Sequence, residues 1–160
     1  MLVEFEKLPE TSRVWIYQSN RPFSEGELVE IKNEVADFLN EWTAHGSSLN
    51  AGYEIKYNRF IVIGLDQSQT AATGCSIDAS VRFIQYLEKK YGVELLDKMN
   101  VSYKQGEYIA YKPLSDFKKM TKQKAVSKNT IVFNNLVNNK REYEEHWEVP
   151  AAESWHARFM

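Results

Sequence analysis

The stretch from Phe60 to Tyr91, FIVIGLDQSQTAATGCSIDASVRFIQYLEKKY, predicts a strand, a polar loop and a helix in that order. Its first six residues form an apolar run rich in β-branched side chains, which is typical of a buried strand. From Ile77 onward, apolar residues recur at helical spacing as far as Tyr91. The loop between them therefore joins a strand end to a helix start, where backbone N–H groups and the positive helix end favour anions.

This junction contains the candidate site residues. The candidate ligand-binding side chains are those of Asp66, Ser68, Thr73, Ser76 and Asp78. Cys75 is the candidate nucleophile, since a helix N-terminus favours a thiolate, and His45 or His156 is the candidate general base. The alternative for Cys75 is a buried structural residue, which the frequency of buried cysteines favours.

The segment from Val62 to Ser68 resembles the strand-end aspartate of actin-like kinases and of ribonuclease H-like nucleases, folds that bind metal or phosphate there. Asp66 is that aspartate, and Asp78 at the other end of the loop is a second carboxylate that could share a magnesium ion. The alternative makes Asp66 a turn former and Asp78 a favourable charge at a helix start. The three histidines are too dispersed for a metal-binding motif, so we expect no metal and no cofactor.

Composition limits the class of protein. The 160 residues include 43% hydrophobic and 13% aromatic residues, which predicts a packed core. The 20 basic and 22 acidic residues nearly balance, which argues against nucleic acid or an anionic membrane as a partner. A single cysteine, no secretory signal pattern and no long apolar run predict a cytoplasmic protein.

Local signals place the remaining elements. A capping box of Ser24 and Glu27 predicts a helix that ends near His45, with Gly46 following it. Ser115 is expected to cap a short lysine-rich helix with a solvated face, and Asn139 with Glu142 a last helix that Pro150 ends. Expected strands cover residues 13–17, 53–57, 60–65, 101–104, 107–111 and 130–133.

The connections between these elements have signals of their own. A tight turn at Asn58 and Arg59 is expected to form one hairpin, and Gln105 with Gly106 a second. The N-terminal arm, residues 1–12, is expected to be loop-like, and Gly92 to end the second helix. Residues 93–99 suggest a short helical turn.

Four passages resemble a family of small uncharacterised bacterial proteins whose members are often labelled ABC transporter ATPases. These passages are residues 15–21, 42–46, 74–78 and 154–159, so the likeness spans nearly the whole chain. The label lacks support from the residues, because a P-loop needs Gly-x-x-x-x-Gly-Lys-Ser/Thr and the segment from Gly64 to Gly74 has no lysine. The resemblance implies a shared fold and transfers no functional residue.

Together these signals predict an α+β fold. We expect an antiparallel sheet with both long helices on one face, a ferredoxin-like βαββαβ arrangement with a C-terminal extension. The alternative is a ribonuclease H-like mixed sheet. A single domain is expected over residues 1–160, with a core at 1–112 and an extension at 113–160 that docks on it.

Two functional hypotheses follow from the sequence. The first is a non-enzymatic binding or adaptor protein, because no catalytic set is recognisable and aromatic residues, which dominate interfaces, are abundant. The second is an enzyme or small-ligand protein that uses the loop from Asp66 to Asp78 with Cys75. The partner is expected to be a protein or a small molecule.

Overall fold

The structure is a computed structural model that describes all 160 residues. Four α-helices combined with antiparallel sheets make it an α+β protein, as predicted. Contacts within the chain define two compact units, residues 1–96 with 138–141, and residues 97–137 with 142–160. The contacts therefore divide the chain after Leu96, whereas the sequence suggested a boundary after residue 112.

The first unit contains five strands and the two long helices. In chain order these are β1 (Arg13–Gln18), α1 (Glu25–Glu41), β2 (Thr43–Ala44), β3 (Ser47–Ser48), β4 (Asn50–Lys56), β5 (Phe60–Asp66) and α2 (Gly74–Tyr91). β5 lies between β1 and β4 and is antiparallel to both, so the sheet order is β1-β5-β4. Because β1 and β4 are connected through α1 and separated by β5, this part of the chain is the expected split βαβ unit.

Both long helices cover the same face of this sheet. Ile61, Ile63 and Leu65 alternate along β5 and belong to the same buried cluster as residues from α1 and α2. The rings of Phe38 on α1 and Phe83 on α2 stack with centroids 4.5 Å apart. The expectation of two helices on one face is confirmed.

The opposite face is covered by the chain's first residues. Gly64 lies under Leu8 and Phe5, since a Cβ there would come within 2.7 Å and 3.0 Å of their side chains. The N-terminal arm also extends the sheet, because Leu2 forms a parallel bridge with Ala51 of the edge strand β4. The sequence predicted only a loop here, since nothing local reveals that β4 has a free edge.

Helix α1 starts at the predicted capping box, in which the Ser24 hydroxyl accepts from the backbone N–H of Glu27 and the Glu27 carboxylate accepts from that of Ser24. It ends at Glu41, earlier than predicted. His45 and Gly46 both have positive φ and form the turn between β2 and β3. His45 is therefore a turn residue and does not lie at a helix C-terminus.

The hairpin of β4 and β5 is confirmed, with a different turn. Lys56 pairs with Phe60, so three residues connect the strands, and Tyr57 and Asn58 both adopt left-handed backbone conformations. The sequence favoured a tight turn at Asn58 and Arg59. The backbone of this turn is held by the N–H of Phe23, which donates to the Asn58 carbonyl at 2.7 Å.

The second unit contains a separate sheet of four antiparallel strands, ordered β7-β6-β8-β9. Its elements are β6 (Asn100–Gln105), β7 (Tyr108–Pro113), α3 (Leu114–Lys122), β8 (Ile131–Phe133), α4 (Lys140–His146), which begins in the first unit, and β9 (Glu148–Pro150). The predicted hairpin around Gly106 is confirmed, with Gly106 at a φ of 62°.

This second sheet corrects the expected ferredoxin-like arrangement. That arrangement needs β6 beside β1, but β6 pairs with β7 on one edge and with β8 on the other. Val101 and Tyr103 of β6 face a separate buried cluster that includes Phe117 and Val132. The strands β1 to β9 pair only in antiparallel fashion, and the one parallel pairing is the isolated bridge of Leu2 with Ala51. The mixed sheet of the ribonuclease H-like alternative therefore does not form.

Three local expectations are also corrected. Residues 93–99 form no helical turn, because Glu88 at the end of α2 binds the N–H groups of Leu95 and Leu96 instead. Helix α3 starts at Leu114 after Pro113, with no side-chain cap from Ser115. Pro150 closes strand β9, and two 3₁₀ turns then complete the chain.

Candidate functional site

The loop after β5 is closed by hydrogen bonds among its own residues. Asp66 accepts from the backbone N–H of Ser68 at 3.0 Å, and the Gln67 side-chain oxygen accepts from the N–H of Ala72 at 3.0 Å. An aspartate that binds the N–H two residues on is a common turn former. The structure thus gives Asp66 the role of turn residue that the sequence offered as its alternative.

The start of α2 uses Thr73 and Ser76. The Thr73 hydroxyl accepts from the N–H of Ser76 at 3.2 Å, and the Ser76 hydroxyl accepts from the N–H of Thr73 at 2.7 Å. This capping box starts the helix at Gly74, three residues before the predicted start. The hydroxyls of Thr73 and Ser76, which were predicted to bind a ligand, are therefore used to cap the helix. Two hydroxyl residues at this spacing before a helix are a capping signal that the sequence already contains.

Cys75 is exposed, so the expectation of a buried cysteine is wrong. The buried positions of α2 are Ser76, Ser80, Ile84, Leu87 and Tyr91. Cys75 precedes Ser76 by one residue and so lies about 100° away around the helix from that buried face. Asp78 is exposed as well, and it stands in the first turns of α2, where a negative charge is favourable.

The two candidate bases lie in very different surroundings. His45 is an exposed turn residue of the first unit. His156 belongs to the second unit and is 1% exposed. The Cys75 sulfur forms no hydrogen bond or ion pair, so the structure assigns it no base.

His156 is a buried neutral side chain. Its Nδ1 lies 2.8 Å from the Ser154 hydroxyl, its ring stacks on Trp155, and Phe117 meets it edge-on. Burial lowers the pKa of His156 to about 4. Its Nε2 and the Trp155 Nε1 are both buried and have no hydrogen-bond partner. Two polar nitrogen atoms therefore lie among the apolar side chains of the second unit.

Four of the shifted titratable groups of the first unit, Glu34, Tyr86, Lys90 and Tyr91, cluster between α1 and α2. Tyr91 donates to Glu30 and Glu34, and Lys90 forms an ion pair with Glu34 at 3.1 Å. Burial raises the pKa of Tyr91, and the hydrogen bond to Glu34 adds to it. Burial also works to raise the pKa of Glu34, but hydrogen bonds from Tyr86, Tyr91 and Lys90 outweigh it and lower that pKa. These contacts join the two helices.

A strongly charged exposed feature is a group of lysines in the second unit, which the sequence alone suggested is a solvated helix face. We define the basic surface as Lys112, Lys118, Lys119, Lys122, Lys124, Lys128 and Arg158. All seven side chains are exposed, and none forms an ion pair.

The balance of charge over the whole chain hides this local excess. Residues 97–137 contain eight lysines and three acidic residues, whereas residues 142–160 contain one basic and five acidic residues and residues 1–96 contain nine basic and 14 acidic residues. The net charge of successive segments, counted along the sequence, reveals this difference without a structure.

No group of three or more His, Cys, Asp or Glu side chains lies together in a way that could hold a metal ion. No helix combines the length and the apolar character needed to cross a membrane. A scan against protein-family models, a search of curated proteins and a search of solved structures found no match to this chain.

Proposed function

We propose that this chain is a non-enzymatic binding protein whose contact surface is the basic surface of the second unit. The observation that carries the proposal is the number of exposed lysines there that form no ion pair. Soluble proteins usually mix charges of both signs over their surfaces, and single-sign fields serve to attract a ligand of the opposite charge. The partner is therefore polyanionic.

Helix α3 presents three of these charges in one direction. Phe117 is fully buried, and Lys118, Lys119 and Lys122 follow it at about 100°, 200° and 140° around the helix axis. These lysines share an outward arc of about 100°. Asp116 is the only acid on this helix, so the net charge of the arc stays positive.

The test compares two double variants on an immobilised sulfated polysaccharide, with elution by increasing salt. Lys118→Glu with Lys122→Glu reverses two charges of the basic surface. Lys32→Glu with Lys89→Glu makes the same change in charge at two exposed positions of the first unit.

We expect the wild type and the control variant to elute at the same salt concentration, and the Lys118/Lys122 variant to elute at a clearly lower one. Circular dichroism confirms that both variants are folded. A wild-type protein that passes through the column at low salt would overturn the proposal.

A second candidate function rests on the exposure of Cys75 at the second position of α2. We propose as an alternative that this thiol and the adjacent loop bind or modify a small molecule, since a helix N-terminus stabilises a thiolate. Exposed thiols are stable in a reducing compartment, which supports a cytoplasmic location. The family resemblance remains a proposal about the fold, and it supports neither function over the other.

A further inference from the structure

We infer that the polyanion bound by the basic surface is a single-stranded nucleic acid, recognised without sequence selectivity. This inference rests on the function proposed above and narrows it to one class of partner. It replaces the expectation of no nucleic-acid partner, which rested on the charge of the whole chain. Proteins that bind single strands combine a positively charged surface that follows the phosphates with aromatic rings on which bases stack. Both components are present in the second unit.

The first component is a group of charges that are mostly lysines. Six of the seven cations of the basic surface are lysines, and Arg158 is the seventh. A lysine ammonium contacts a phosphate as a point charge, whereas arginine is the residue that grips carboxylates and guanine edges with two parallel hydrogen bonds. Lysines on this surface therefore suit a phosphate backbone and carry no information about base sequence.

The second component is aromatic. Phe159 is half-buried, and its ring lies beneath Lys118, whose Nζ is 4.8 Å from the ring centroid, and beneath Arg158 at 6.0 Å. Two cations of the basic surface thus frame one aromatic ring. This half-buried ring therefore lies directly beside positions where phosphates would bind.

Tyr108 at the start of β7, the strand that precedes α3, provides an exposed aromatic ring. It is 79% exposed, the highest value among the large hydrophobic side chains. Along β7, every second residue lies on the same face of the sheet, so Tyr108, Ala110 and Lys112 share one face. Ala110 packs on the buried cluster that contains Phe117 of α3. Tyr108 and Lys112 therefore belong to the same side of the second unit as α3.

These features favour a single strand over the other polyanions. Bases in a duplex are already stacked and paired, so exposed rings gain little from them. An acidic peptide offers carboxylates but no rings for Tyr108 to stack on. A single strand uses both the lysines and the aromatic residues.

The experiment measures fluorescence anisotropy of a labelled mixed-sequence single-stranded oligonucleotide, as RNA and as DNA, over a series of salt concentrations. The matching duplex and polyglutamate of equal charge serve as competitors. We expect affinity to fall with rising salt, with the logarithmic slope reduced in magnitude by about 1.4 in Lys118→Ala with Lys122→Ala, since each of the two lysine–phosphate contacts contributes about 0.7.

Tyr108→Ala distinguishes the aromatic contribution. We expect it to weaken single-strand binding by about fivefold or more, since loss of one stacked base has at least that effect. Polyglutamate binding should remain unchanged. Tyr108→Phe should retain wild-type affinity, because it keeps the ring.

The outcomes separate this inference from the proposed function. If polyglutamate and the duplex compete as well as the single strand, and Tyr108→Ala has no effect, the partner is another polyanion and only the inference fails. If none of these polyanions binds at low salt, the proposed function fails with it.

Discussion

The ammonium group of Lys140 donates a hydrogen bond to the carbonyl oxygen of Leu8 across 132 positions of the chain, at 2.8 Å. A second bond of 2.8 Å goes to the carbonyl of Glu6, and the Lys140 side chain is buried. The backbone N–H groups of Lys140 and Arg141 bind the carbonyls of Ser12 and Glu10. Residues 138–141 thus hold the N-terminal arm within the first unit.

Replacement of Lys140 by Met should destabilise the protein, because it removes both donors and leaves two carbonyls without them. We expect a loss of about 2 kcal/mol or more in the free energy of unfolding, on the scale of 1–3 kcal/mol for each buried polar group left unsatisfied. Urea unfolding measures this change. Lys32→Met is the control, since Lys32 is exposed on α1. Equal stability of the two variants would contradict the role given to Lys140.

The N-terminal arm also explains why position 52 requires glycine. A Cβ on Gly52 would lie 2.6 Å from the Val3 carbonyl oxygen and 2.9 Å from the Phe5 nitrogen, both backbone atoms. We expect Gly52→Ala to destabilise the protein by about 1–3 kcal/mol, as overpacking does.

Gly26 in the first turn of α1 provides the opposite case, since nothing lies within 4 Å of a Cβ there. Gly26→Ala should be neutral or stabilising by up to about 1 kcal/mol, because alanine favours the helix. Thermal unfolding of both variants tests the pair. The argument fails if Gly52→Ala is as stable as Gly26→Ala.

His156 should make stability depend on pH. Burial lowers its pKa to about 4 in the folded protein, from 6.5 in an exposed histidine. The unfolded chain therefore binds the proton more readily, and stability is complete above about pH 6.5 and falls as the pH decreases toward 4. The shift corresponds to a loss of about 3 kcal/mol at the acidic end of this range.

Urea unfolding of the wild type and of His156→Gln between pH 4 and 7 measures this contribution. The variant lacks the titrating group, so its stability should fall less over this range than that of the wild type. Parallel profiles for the two proteins would show that His156 is not the responsible group.

Cys75 should react with a small alkylating reagent in the native protein, because its side chain is exposed. The rate should change little when the protein is unfolded by urea. A native rate that falls in His45→Ala would support the alternative function, since that result identifies the imidazole as the base. A thiol that reacts only after unfolding would contradict its exposure.

The sequence by itself determined the features that depend on residues close together in the chain. The capping box of Ser24 and Glu27, the turn at Gly106 and the end of α2 before Gly92 follow from local hydrogen bonding and backbone conformation. The strand-loop-helix order from Phe60 to Tyr91 follows from hydrophobic periodicity, which reports burial without its partner.

Only the tertiary structure decided which strands share a sheet and which side chains remain exposed. The backbone of β6 can form the same hydrogen bonds with any strand. Its pairing with β8 is favoured because side chains of both strands are buried in the cluster around Phe117. The exposure of Cys75 and the hydrogen bond from Lys140 to the Leu8 carbonyl likewise depend on how distant parts of the chain come together. Local sequence patterns do not predict such contacts, because the free energy of burying a side chain depends on which other side chains the fold places around it.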